Sequence, residues 1–127
     1  MKNESSSDAT FDAAAALEAL SGRVTVLRDL AQLFLQERQG MVDAVRQALQ
    51  ADDPSEVERA VHSLRGVIGY FRARTLWSVT EQMQAEVIQA RTDRVRQFLP
   101  ELEQSVEDLA ASLDRFLADS PPESDAE

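Results

Sequence analysis

The chain contains one histidine, His62, in the run Val57-Glu-Arg-Ala-Val61-His62-Ser-Leu64-Arg65-Gly66-Val-Ile68-Gly69-Tyr-Phe71. Imidazole is the side chain best suited to act as a nucleophile or proton carrier near neutral pH. On a helix turning about 100° per residue, Val57, Val61, Leu64, Ile68 and Phe71 fall within roughly 40° either side of one direction and form a buried stripe. His62 then points about 140° away, into solvent. Glu58 and Arg59 lie one turn before it, Arg65 and Gly66 one turn after, and Gly69 two turns after, because residues three and four apart are neighbours on a helix surface. Two glycines in an exposed helix each cost about 1 kcal/mol relative to Ala, so the segment gives up stability beside its histidine. Bare backbone there leaves room for something close-fitting. The fork of Arg65 donors suits a planar, multi-oxygen anion such as a phosphoryl group. The residues alone are equally compatible with a surface histidine whose neighbours happen to be small.

The elements that must position this segment are all helical. No period-two alternation and no Asn-Gly or Asp-Gly hairpin signal occurs. Phe11 to Leu20, with Asp12 as N-cap and four consecutive alanines, predicts a short helix across the end of a bundle, closed by Ser21-Gly22. From Arg23 to about Gln50, Leu27, Leu30, Phe34, Met41, Val45 and Leu49 keep a three-to-four spacing over a helix about 40 Å long. Asp53 and Pro54 cap and start the histidine helix. Thr75 is the expected N-cap of the next, whose stripe is Leu76, Val79, Met83, Val87 and Ala90, with Trp77 and Ile88 widening the face toward the first helix. A last helix carries Leu102, Val106, Leu109 and Leu113; Pro100 predicts a kinked or broken start somewhere between Asp93 and Pro100. The fold class is therefore all-α, an antiparallel four-helix bundle with a short extra N-terminal helix over residues 11–118. Residues 1–10 and 119–127 are polar and read as disordered tails, the second one acidic.

Composition limits the partners. With 13 basic and 23 acidic residues the net charge is −10, which disfavours nucleic acid and anionic membrane. Yet four arginines (59, 65, 72, 74) and no acid lie between Arg59 and Thr80, a local basic patch around the histidine suited to an acidic partner. Without cysteine there is no disulfide framework or thiolate chemistry. A single histidine is too few for a di-metal bundle, and no Gly-x-x-x-x-Gly-Lys-Ser/Thr loop occurs to bind ATP. No signal-peptide pattern or membrane-length apolar run is seen, so a cytoplasmic, monomeric protein is expected.

His62-Ser-Leu-Arg65-Gly66, followed after further residues by Leu76, resembles the signature of histidine-containing phosphotransfer (HPt) domains: His-x-Leu-Lys/Arg-Gly, five residues, Gly, three residues, Leu. Phe11-Asp12, Leu17, Leu20, the Leu27/Leu30/Phe34 series and the turn at Asp52-Asp53 extend the resemblance over roughly residues 11 to 118. The family's second glycine is Arg72 here.

The resemblance implies a four-helix bundle and a phosphorelay carrier with no catalytic power of its own. His62 would take a phosphoryl group from a receiver-domain phospho-aspartate and pass it to another receiver. Arg65 would support the phosphoryl group, Gly66 and Gly69 would give steric clearance, and Glu58, Arg59 and Arg72 would contribute to docking. Partners would be response-regulator receivers or a hybrid sensor histidine kinase. The chain would hold no cofactor or metal of its own, Mg²⁺ belonging to the receiver. The competing reading is a helical module that docks on receivers or kinases without relaying phosphate. At Arg72 the helix is expected to continue about one residue past Phe71, since Arg72, Ala73 and Arg74 all favour helix. That would set Arg72 on the Arg65 side.

Overall fold

The computed structural model describes residues 9–119. Helix α1 (Ala13–Ala19) starts at Asp12, whose carboxylate accepts from the Ala15 N–H at 3.0 Å, and it stops where Ser21 and Gly22 take positive φ. Helix α2 (Val24–Gln50) is the longest element. A turn through Asp52, at φ 56°, leads to α3 (Pro54–Ile68); Asp53 accepts from the Glu56 N–H at 3.3 Å and Pro54 occupies the first turn, where its missing N–H costs nothing. A 3₁₀ turn (Gly69–Phe71) ends the histidine segment and α4 (Arg74–Ile88) follows. The expected break before the last helix is real. Helix α5 (Thr92–Gln97) stops, and α6 (Leu99–Asp119) begins with Pro100 in its first turn.

Pairings between helices fix their directions. Arg28, Arg38 and Arg46 of α2 reach Leu117, Glu107 and Glu103 of α6, so partners descend along α6 as they ascend along α2. Arg65 and Gly69 meet Gln84 and Trp77 in the same descending order, so α3 and α4 are antiparallel too. Helix α2 packs against α3, α3 against α4, and α6 against both α2 and α4, closing a ring of four. The apolar stripes converge inside it: Leu27, Phe34 and Val45 of α2, Val57, Val61, Leu64 and Ile68 of α3, Met83 of α4, and Leu102, Leu109 and Leu113 of α6 are fully or almost fully buried. One end is closed by aromatic rings in edge contact, Phe11 with Phe71 and Phe116, and Phe34 with Phe71. The Asp12 N–H adds a bond to the Phe71 carbonyl at 3.2 Å.

Four local expectations are corrected. Arg72 is left-handed, at φ 53° and ψ 41°, rather than helical. Phe71 must enter the aromatic end while Ala73, 2 % exposed, turns inward to start α4, and burying both outweighs the roughly 1 kcal/mol that an L-residue loses in that conformation. The cap of α4 is Ala73, with no side-chain bond, and Thr75 falls inside the first turn. Trp77 and Ile88 are 37 % and 74 % exposed and do not bury against α1. Of the segments read as tails, Ala9, Thr10 and Asp119 are helical, and the remainder lies outside the described residues. Among the described residues no helix is long and apolar enough to cross a membrane.

Candidate functional site

The buried stripe of α3 holds its opposite face outward, and His62 is exposed there. It lines a shallow open cleft with Ser55, Glu58 and Arg59 of its own helix and Gln84 of α4. Glu58 and Arg59, read from the sequence as docking residues, therefore flank the imidazole directly. Gln84 escaped the sequence reading. Its signal was available: the α3–α4 connection is centred near residue 73, so in an antiparallel pair residues whose numbers sum to about 146 lie level. Gln84 is the partner of His62 by that rule.

The Arg65 side chain lies against α4. At about 80° from the buried stripe it stands between the core and His62, close enough to α4 to lie on it. Its Cζ is 3.9 Å from the centroid of the Trp77 ring, its Nη1 donates to Gln84 Oε1, and its Nη2 is 3.9 Å from Glu81. Only 17 % of the side chain is exposed, and its Nε is buried without a hydrogen-bond partner among the described residues.

The glycines also divide. Among the described residues a Cβ at Gly66 would meet nothing within 4 Å, so that stretch of helix is open beside His62. A Cβ at Gly69 would sit 3.5 Å from the edge of the Trp77 ring, an ordinary contact, so Gly69 seats this chain's own indole.

The basic patch is less positive than the run of sequence suggests. Arg59 pairs with Glu56 at 3.5 Å, and Glu81 arrives beside Arg65 from α4. Arg72 and Arg74 have no ion-pair partner among the described residues; they line a separate hollow of about 240 Å³ with Ile68, Gly69, Ala73 and Trp77. Arg72 thus joins the site through Trp77 instead of standing in line with Arg65. Among the described residues no three metal-capable side chains converge.

The site thus sets an exposed imidazole on α3, with open backbone one turn on at Gly66 and the Arg65 guanidinium between it and the core. Residues 29–116 match the family model of the Hpt domain, a span running from α2 to α6 and covering more than half of the chain. The chain belongs to the Hpt domain family. No curated protein and no solved structure matches it. Hpt domains carry out histidine phosphotransfer in two-component signalling, as phosphocarriers and not as catalysts, and interact there with receiver domains and kinases. The Hpt domain places the positions read from its sequence in two adjoining groups. His62, Glu58 and Arg59 lie around one cleft; Gly69 and Arg72 lie around the Trp77 hollow; Arg65 runs between the two, and Gly66 is open on the outer face.

Proposed function

We propose that this Hpt domain is a phosphorelay carrier in which His62 takes a phosphoryl group from the phospho-aspartate of one receiver and gives it to the aspartate of another. The observation that carries the reading is the exposed His62 with nothing among the described residues within 4 Å of a Cβ placed on Gly66. Phosphoryl transfer asks for positioning and charge neutralisation more than for covalent work by the protein, so a carrier can be this simple. The lone pair of one imidazole nitrogen attacks phosphorus, the N–P bond forms as the acyl P–O bond breaks, and the aspartate leaves as carboxylate. The other ring nitrogen keeps its proton. Onward transfer reverses these steps on a second receiver. The receiver supplies the Mg²⁺ and the acidic pocket; Glu58, Arg59 and Arg72 contact its surface, and Gly66 admits its reacting loop.

The test is transfer of labelled phosphate from a phosphorylated receiver in the presence of Mg²⁺. The wild-type protein gains an acid-labile, base-stable label, and His62→Gln gains none while melting at a similar temperature. Label on the Gln variant, or none on the wild type across a broad receiver panel, overturns the relay. Receiver binding without labelling would instead establish a docking module.

A further inference from the structure

We infer that Trp77 is a positioning residue that holds the Arg65 guanidinium on its ring while His62 is unmodified and gives it up when a phosphoryl group arrives on His62. The inference rests on the relay reading above.

The resting place of Arg65 is well defined but incompletely satisfying. A cation 3.9 Å from the centroid of an indole is well inside the ~6 Å range of a cation–π contact. Nη1 is bonded to Gln84, and among the described residues Nη2 has only Glu81, at 3.9 Å and on a side chain that is 59 % exposed. Nε is buried and donates to nothing among the described residues. A guanidinium carries five N–H donors in a fixed fork, so this state leaves hydrogen-bonding capacity unused.

A phosphoryl group on His62, one helical turn away, brings a double negative charge and three acceptor oxygens within reach of an i+3 arginine. That is the differential interaction a shift between two positions requires: before transfer the ring and the amide hold Arg65, and afterwards the phosphoryl oxygens can take two donors at once. Holding the guanidinium back also leaves the imidazole clear for the incoming aspartyl phosphate. The seat is built by neighbouring elements. Gly69 packs beside the ring, where an added Cβ would make only an ordinary contact at 3.5 Å, and the Thr80 hydroxyl donates to the Trp77 carbonyl at 2.7 Å, tying down the turn that carries the indole. Gln84 belongs to both sides, lining the His62 cleft while accepting from Arg65.

Trp77 is the only tryptophan, so all tryptophan emission comes from the indole that holds Arg65, and the Arg65→Ala variant isolates the part due to that contact. Potassium phosphoramidate is used to load the full chain without any partner, and phosphorus NMR follows the N–P bond. The emission of Trp77 should change in step with the N–P resonance. It should not change in His62→Gln, and in Arg65→Ala it should start at its final value and stay there. Trp77→Leu should slow transfer from a phosphorylated receiver about three- to tenfold, with Trp77→Phe, which keeps a π face, restoring most of the rate at a similar melting temperature. An N–P resonance on His62 with unchanged Trp77 emission, or an Arg65→Ala variant that responds like wild type, overturns the inference. Failure of the relay looks different: phosphoramidate still loads His62 and Trp77 still responds, but no phosphate passes between receivers.

Discussion

Along the α2–α6 seam each arginine ends on oxygen: Arg38 on Glu107 at 3.1 Å, Arg46 on Asp43 at 2.5 Å and on Glu103, Arg28 on the Leu117 carbonyl at 2.9 Å. Across the α3–α4 seam, Arg65 ends on an aromatic face and an amide, with the Glu81 carboxylate only at 3.9 Å, and Arg72 and Arg74 beyond it end on nothing among the described residues. The first seam uses its cations up in holding two helices in register, and hydrogen bonds to both carboxylates raise the Arg46 pKa above its ordinary value. The second keeps them available. The same residue type is therefore engaged in one seam and free for the proposed docking at the other, and the presence of a carboxylate partner at short range is what separates the two.

The largest test of that contrast is steric. Gly66→Gln fills the open helix face next to His62, and receiver affinity should fall about tenfold or more, the loss that about 1.4 kcal/mol of misfit produces. The helix itself should gain stability, because Gln propagates helix better than Gly. Binding measured by calorimetry and melting by circular dichroism should move in opposite directions; unchanged binding would mean that nothing docks there.

Next comes exchange of the two arginines. Arg46→Ala should lower the melting temperature slightly and leave phosphotransfer intact, whereas Arg65→Ala should slow transfer or shorten the phospho-His62 lifetime several-fold, by the charge-assisted bonds it removes, with little effect on melting. If Arg46→Ala impaired transfer as much as Arg65→Ala, the two seams would not differ in kind.

A smaller effect sharpens the position of Arg72. At φ 53° it is in a conformation that costs an L-residue about 1 kcal/mol and glycine almost nothing. Arg72→Gly should therefore raise the melting temperature by about 3–5 °C. It should also weaken receiver binding, more at low salt than at high salt, since an exposed charge is screened. A fall in melting temperature would contradict the left-handed turn.

The smallest effect lies at the opposite end of the bundle, where Asp52 clamps the α2–α3 turn to α5. Its carboxylate accepts from the Thr92 hydroxyl at 2.6 Å and from Arg96 at 3.3 Å. The Thr92 bond foremost, and Arg96 after it, hold its pKa below the ordinary 3.8. A carboxyl depressed on folding stabilises the protein above its unfolded value, and the contribution disappears as pH falls through the folded one. Wild type should melt slightly above Asp52→Asn at neutral pH, and the two curves should converge below about pH 3.8. A difference that persists unchanged in strong acid would remove the charge from the clamp.

How much could be read in advance follows the range of the forces involved. Asp12, Asp53 and Pro54 act within one turn, and each caps or starts its helix as its type and position suggested. The broken start at Pro100 is equally local. Thr75 misled because the start of α4 was set by Ala73 turning into the core, a demand that outweighs the preference of one hydroxyl. Trp77 misled for a related reason: its place on the α4 wheel gave a direction but not the neighbour in that direction, which is Arg65 with Gly69 beside it.

By itself the sequence determined that α3 buries Val57, Val61, Leu64 and Ile68 and turns His62 and Gly66 outward, because a 3.6-residue period and the burial of apolar side chains leave no other arrangement for that helix. Only the tertiary structure decided what stands opposite. The antiparallel register of α3 and α4 brings Gln84 level with His62 and lays Trp77 under Arg65, and the burial of Phe71 among Phe11 and Phe34 forces Arg72 into a left-handed turn. Those outcomes depend on contacts between residues far apart along the chain, whose energies exceed the local preferences of the residues that yield to them.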